Sequence, residues 1–279
     1  MNRQETLAIL EQHGIRPIRS LGQNFLTDDR VVERICQCAA LAQNDLILEI
    51  GPGIGGLTRA MARQAGQVVA IEIDRHIIPA LRDVLADQHN CTILHKDALE
   101  TDLTALAADW TGQVKVVANL PYYITTPLIT KALVELPQCT QLVLMIQKEA
   151  ASRVMATPGS KQYGPMAVLA ACFGKAHREL VVSPGSFYPQ PGVDSCVISL
   201  TREHKAQLDQ WPAFQQFLEA CFTQRRKMLT NSLRAAGYSA DRLTRLPAIL
   251  AELGLPDGIR AEMITAEQFV AIYQVTSNK

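Results

Sequence analysis

From Asp45 onward the chain alternates short apolar runs rich in β-branched residues with stretches whose apolar positions recur every three or four residues. The runs cover 46–50, 68–73, 92–95, 114–118 and 142–146, and the helical-period stretches cover 57–64, 75–86 and 127–136. A strand covered on both faces reads as a continuous apolar run, so this pattern predicts βαβ units and a doubly wound α/β domain with a parallel sheet. Ahead of it, Val31, Val32, Ile35 and Leu41 predict an amphipathic helix opened by Thr27, Asp28 or Asp29. Behind it, 180–182 and 196–200 predict a last pair of strands joined by a Pro/Gly-rich loop.

The pattern changes near residue 203: 202–210 is polar, and no strand-like run follows. Four short helices are expected instead, over 212–222, 227–236, 240–253 and 266–273, punctuated by Gly237, Gly254 and Pro256. The expected organisation is a domain of residues 1–203 and a small all-α domain of residues 204–279.

Composition adds mainly exclusions. With 48% hydrophobic and 19% charged residues the chain is an ordinary globular one rather than disordered or fibrous. Lys plus Arg and Asp plus Glu both number 27, so a nucleic-acid-binding face has to be local. The 7 cysteines are scattered, with neither zinc spacing nor a disulfide framework, which suits a reducing cytoplasm. The polar amino-terminus and the lack of an apolar run of roughly 18 residues leave export and membrane insertion unsupported. No metal partner is expected.

The candidate chemistry begins where the first of these strands ends. Glu49-Ile50-Gly51-Pro52-Gly53-Ile54-Gly55-Gly56 sets a glycine turn between strand and helix, and Gly51, Gly53 and Gly56 satisfy G-x-G-x-x-G. Alone the motif is weak, because dinucleotide enzymes, methyltransferases and plain tight turns share it. Glu72 lies at the next strand end, 21 positions after Gly51, where a carboxylate can accept hydrogen bonds from both ribose hydroxyls of an adenosine. Asp74 is the natural residue to open the following helix. Asp97, one strand later, is either a helix cap or an acceptor for an adenine amino group. Three consecutive strand ends on one sheet edge favour a nucleoside cofactor.

The fourth strand runs into Asn119-Leu120-Pro121-Tyr122. An adenine amine is a weak nucleophile because its lone pair is delocalised into the ring, and two acceptors on its hydrogens favour a more pyramidal nitrogen. The Asn119 side-chain oxygen and the Leu120 carbonyl, exposed by the Pro121 turn, can supply them, with Tyr122 stacking on the base. In isolation the tetrapeptide reads equally as a turn with a partly buried aromatic.

Together these segments resemble the ribosomal RNA adenine dimethyltransferase family. The resemblance covers nearly the whole chain: Gly22-Gln23-Asn24-Phe25-Leu26, Glu49 to Gly56, Glu72, Asp97, Asn119 to Tyr122, Gln147-Lys148-Glu149, Pro158-Gly159-Ser160-Lys161 and Pro184-Gly185-Ser186-Phe187. It implies a Rossmann-like methyltransferase domain with a small helical domain, and S-adenosylmethionine as cofactor. By resemblance Asn24, Leu26, Gly51, Gly53, Glu72, Asp97 and Asn119 bind the cofactor, while Asn119, Leu120, Pro121, Tyr122 and Phe187 form the catalytic site around the target adenine. The implied reaction is dimethylation of two adjacent adenosines near the 3′ end of 16S rRNA, within the small ribosomal subunit or its precursor.

The cations Arg225, Arg226 and Lys227 read from sequence as a solvated helix start, and by resemblance as RNA-binding. Two positions depart from the family pattern: Ser20-Leu21 stands where a basic-Phe pair is common, and Gly192 where Lys is common. Gly192 is either an unused phosphate contact or a residue needing positive φ. Residues 204–279 hold nine Lys/Arg and seven Asp/Glu, a balance of 9 − 7 = +2. The rivals are a nicotinamide-dependent dehydrogenase, a DNA adenine methyltransferase and a non-catalytic ribosome-assembly or RNA-binding factor. The dehydrogenase leaves Asn119 to Tyr122 without a role.

Overall fold

The structure is a computed structural model and describes residues 1–18, 21–203 and 210–277. Ser20 and most of the polar stretch 202–210 therefore lie outside the described residues. The strands are β1 (Phe25–Leu26), β2 (Leu46–Ile50), β3 (Gln67–Glu72), β4 (Cys91–His95), β5 (Val114–Asn119), β6 (Cys139–Gln147), β7 (Gly174–Val182), β8 (Phe187–Tyr188) and β9 (Ser195–Arg202). Seven of them form one sheet in the order β4-β3-β2-β5-β6-β9-β7, and β1 pairs with β8 separately.

Strands β2 to β6 all run parallel, and β9 is antiparallel to β6. The chain winds outward from β2 through β3 to β4, then returns to place β5 on the other side of β2. The crevice beyond the carboxyl ends of β2 and β5 is thus the switch point at which open α/β sheets bind ligands. All five residues of β2 are buried, as are the last five of β3 and the first five of β5, which is why these strands read as mostly apolar runs, each with a single charged residue: Glu49, Glu72 and Lys115.

The intervening helices are α1 (Arg3–Gln12), α2 (Asp29–Ala39), α3 (Gly56–Ala62), α4 (Ile78–Val84), α5 (Leu103–Ala107) and α6 (Thr125–Glu135). Asp28 is the cap of α2, accepting the Arg30 backbone N–H, and the buried stripe is Val31, Val32, Ile35, Cys36 and Ala39. At the other end of α2 the buried Lys115 ammonium donates to the Ala39 and Ala40 carbonyls and to Asp45 at 2.6 Å. A cation at a helix carboxyl terminus satisfies carbonyls that have no helical partner, and here it ties α2 to β5. Helix α1, which the polar amino-terminus did not suggest, is opened by a capping box in which Asn2 and Glu5 satisfy each other's backbone N–H.

Two compact units result, Met1–Ala151 with Ala176–Arg202, and Ser152–Lys175 with Glu203–Lys279. The expected first domain of 1–203 is corrected accordingly, since 152–175 belongs with the C-terminal helices. The reason lies in α8 (Pro165–Phe173), which follows α7 (Lys148–Val154) and buries Ala167, Val168, Leu169, Ala170, Cys172 and Phe173. A helix apolar on all sides needs partners all round, and the C-terminal helices provide them.

In that unit α9 (Trp211–Phe222), α10 (Leu229–Ala235), α11 (Ala240–Leu243), α12 (Leu246–Glu252) and α13 (Ala266–Ser277) surround Phe214, Phe217 and Phe269, all fully buried. The single helix expected over 240–253 is two, because Pro247 lacks the N–H that a continuous helix requires and sits in the first turn of α12.

Candidate functional site

A cleft opens at the switch point and lies wholly within the first unit. Its floor is the glycine turn after β2. Gly51 and Gly53 have φ of 70° and 57°, in the left-handed region. A Cβ on Gly53 would come within 3.1 Å of the Phe25 ring, and one on Gly51 within 3.3 Å of Pro121. The turn is therefore threaded between two neighbours with no room for side chains.

Glu72 holds this turn. One carboxylate oxygen accepts the Gly53 N–H at 3.1 Å and the other the Asp74 N–H at 2.9 Å, and each retains a lone pair beside the cleft. Burial pushes its pKa up, opposed by these two backbone bonds. Asp74 accepts the His76 N–H at 2.9 Å and the Gln23 side-chain amide at 2.7 Å, which pins the 21–24 segment across the cleft. Asp97 lines the cleft as well, and one of its oxygens accepts the Leu99 N–H at 2.8 Å, so it is a turn cap with its second oxygen left over.

Glu49 was not among the sequence candidates, although it stands two positions before Gly51. It is 1% exposed, lines the cleft, and its Oε2 has no hydrogen-bond partner among the described residues. Burial pushes its pKa up to about 8; the neighbouring Thr58 hydroxyl pulls it down and the Glu72 charge adds to the rise. A buried carboxyl with a vacant acceptor in a cleft suits a ligand bearing a donor or a positive charge.

At the end of β5, Asn119 donates its side-chain amide to the Asn24 carbonyl at 3.2 Å, leaving its oxygen as the group available to a ligand. Leu120 has a buried side chain, and its backbone donates to Met145 O at 3.0 Å, joining the turn to β6. Pro121 leads into a single 3-10 turn over Tyr122–Ile124. Tyr122 is half-buried, with its hydroxyl 2.6 Å from Ser195 Oγ, and Tyr123 stands 50% exposed at the rim of the cleft. Asn24, Leu26, Gly51, Gly53, Glu72, Asp97, Asn119, Leu120, Pro121 and Tyr122 thus meet at one cleft.

Phe187 does not join them, and the expectation of a stacking wall is corrected. It is 0% exposed, lies opposite Leu26 in the β1–β8 pair, and packs in the core with Val31, Val182 and Val197. A ring closed in by aliphatic side chains presents no face to a base. Gly192 is exposed, has φ outside the positive region, and a Cβ there meets nothing within 4 Å, so the positive-φ reading is also overturned.

Arg225, Arg226 and Lys227 sit in the second unit, in the turn after α9 rather than on a helix start. Arg225 spends its guanidinium inside that unit, donating to Glu262 and to the Ser160 carbonyl, both at 3.0 Å. Arg226 and Lys227 are exposed. Among the described residues no group of three or more His, Cys, Asp or Glu is placed to hold a metal, and no helix is long and apolar enough to cross a membrane.

Comparison with known proteins gives a consistent picture. Residues 16–277 match the family described as ribosomal RNA adenine dimethylase. A ribosomal RNA small subunit methyltransferase A from Natranaerobius thermophilus is 36% identical over 99% of this chain and 96% of its own. The protein of the same description from Clostridioides difficile is 39% identical over 98% and 96%. Among solved structures, a 23S rRNA methyltransferase, ErmE, superposes with a TM-score of 0.67 at 26% identity, covering 91% of this chain and 100% of its own. A dimethyladenosine transferase from Plasmodium falciparum shares the fold with a TM-score of 0.74 at 24% identity, covering 91% and 98%.

Proposed function

The chain belongs to the ribosomal RNA adenine dimethylase family, and from that premise we propose that it is an S-adenosylmethionine-dependent enzyme that dimethylates adenosine amines in ribosomal RNA. The substrate in this reading is a pair of adjacent adenosines near the 3′ end of 16S rRNA, presented by the small ribosomal subunit or its precursor in the cytoplasm. The observation that carries the reading is the Asn119 side-chain oxygen, free to accept a hydrogen bond at the end of β5, in one cleft with Glu72 and Asp97.

The residues fit the cofactor. The cleft offers the side-chain-free backbone of Gly51 and Gly53, the spare lone pairs of Glu72 for ribose hydroxyls, Asp97 for an amino group, and the unpartnered Glu49 oxygen. When bound, S-adenosylmethionine supplies an electrophilic methyl group on a sulfonium. Asn24 and Leu26, which line the same cleft, would help to hold it.

The protein's work on the target is largely positional. Asn119 Oδ1 and the Leu120 carbonyl accept the two amine hydrogens and hold the nitrogen's lone pair toward the methyl, while Tyr122 stacks on the base. No strong general base is needed, because the amine proton becomes acidic only once the nitrogen has acquired positive charge. Arg226 and Lys227, both exposed in the second unit, are the cations this reading assigns to RNA phosphate. The nicotinamide reading gains nothing from Asn119 to Tyr122. An assembly factor without catalysis has no need of an acceptor held in this orientation.

The test is transfer of radiolabelled methyl groups to unmethylated small subunits, with naked RNA, DNA and NAD binding as controls. Label on adenosine amines of the small-subunit RNA is expected. No label on any RNA substrate, or preferential binding of NAD, overturns the proposal.

A further inference from the structure

Ser195 is fully buried at the first position of β9, and its hydroxyl lies 2.6 Å from the Tyr122 hydroxyl. Tyr122 stands in a turn of only three residues after Pro121, so its backbone alone does little to fix the ring, which can swing about two side-chain torsions. A hydrogen bond at the far end of the ring removes that freedom.

The anchor itself is rigid. Ser195 faces Gln147 in the antiparallel β6–β9 register, and the preceding Asp194 carbonyl accepts the Lys148 backbone N–H at 3.0 Å. Tyr123, next along the chain, makes no side-chain hydrogen bond to any described residue and stands half exposed at the rim. Two neighbouring tyrosines at one cleft are thus held differently, and only the one beside Asn119 and Leu120 in sequence is tied to the sheet. With Phe187 withdrawn into the core, the stacking surface next to those acceptors falls to Tyr122.

We propose that Ser195 is a positioning residue for methyl transfer: its hydroxyl holds the Tyr122 ring at the angle at which it stacks on the target adenine. This role rests on the reading of Asn119 to Tyr122 as the target-amine site. It differs from a purely structural role for a buried serine, which would affect folding and leave the handling of RNA unchanged.

The test is a double-mutant cycle with Ser195→Ala and Tyr122→Phe, read as kcat/KM for unmethylated small subunits alongside the calorimetric Kd for S-adenosylmethionine. Each single change is expected to lower kcat/KM about tenfold, the worth of one hydrogen bond, with the cofactor Kd within about twofold of wild type. The double variant is expected to fall no further than Tyr122→Phe alone, because the serine acts through the phenol. Ser195→Cys, which keeps the volume, runs the same cycle if the alanine variant folds poorly.

An ultraviolet pH titration reads the tether without turnover. The serine bond lowers a phenol pKa that burial raises, so Ser195→Ala is expected to move one tyrosine to higher pH, and to move none in the Tyr122→Phe background. Wild-type kcat/KM in Ser195→Ala, or losses that multiply in the double variant, overturns the proposal. Wild-type protein that transfers no methyl group sinks the functional reading and this role with it, leaving a phenol shift as evidence of the tether alone.

Discussion

Asn119 donates its side-chain amide to the backbone carbonyl of Asn24, 95 positions earlier in the chain. The bond orients the amide, so that the oxygen rather than the nitrogen is left for a ligand, and it joins the covering segment of the cleft to the end of β5. Gln23, in the same segment, donates to Asp74 at 2.7 Å and secures it from the other side.

Replacing Asn119 by Ala is therefore expected to slow transfer by about 10²-fold or more, the cost of losing a preorganised transition-state partner. Asn119→Asp keeps an acceptor but turns an oxygen toward the Asn24 carbonyl, and recovers little of the rate. Single-turnover measurement at saturating cofactor separates this from weaker cofactor binding. A near-wild-type rate for the alanine variant would remove Asn119 from the reaction.

Glu72→Ala removes a carboxylate that both meets the ribose in the proposed complex and fastens the Gly53 turn. Binding of S-adenosylmethionine is expected to weaken by roughly 1.5–3 kcal/mol, the range for a hydrogen bond to a charged group. Titration calorimetry checks it, and unchanged affinity refutes the assignment.

The Glu49 carboxyl, raised by burial from 4.5 to about 8, makes stability depend on pH. In the unfolded chain it ionises near its ordinary value, so between the two values the unfolded state binds fewer protons. Its stabilising contribution is full below about 4.5 and is lost as pH rises toward 8, at up to about 1.4 kcal/mol per pH unit. Urea unfolding of the ligand-free protein at pH 5, 6, 7 and 8 should show this decline, and Glu49→Gln should flatten it. Identical slopes in the two proteins would mean that Glu49 is ionised in the fold.

Phe187→Ala empties a site closed on all sides and is expected to cost roughly 3–5 kcal/mol of stability. Methyl transfer per folded molecule, measured well below the lowered Tm, should stay near the wild-type value. Transfer abolished with Tm unchanged would restore the stacking wall.

Gly192→Lys places a cation where nothing lies within 4 Å and the backbone is free of positive-φ strain. Tm is expected to hold. If the loop passes near RNA phosphate in the complex, the slope of log K against log salt should steepen by about 0.7–0.9. An unchanged slope places this loop away from the RNA backbone.

The pattern of apolar residues determined the five parallel strands β2 to β6, though not their order, because a strand packed in the middle of a sheet shows that in its composition. It also marked three strand ends: Glu72, Asp97 and Asn119 are polar residues placed where apolar runs stop, and all three line one cleft. The first helix was legible in principle, through the Asn2 and Glu5 capping box. Tertiary structure alone decided the remainder, for a common physical reason. Whether Phe187 faces a ligand or the core depends on its register opposite Leu26, which is fixed by strand pairing across more than half the chain. Similarly, 152–175 joins the C-terminal unit because an all-round apolar helix goes where it can be covered, and local sequence does not say where that is. The bonds from Asn119 to Asn24 and from Tyr122 to Ser195 span 95 and 73 positions. Each is a meeting of polar atoms brought together only after the apolar strands have packed, and no local spacing encodes it.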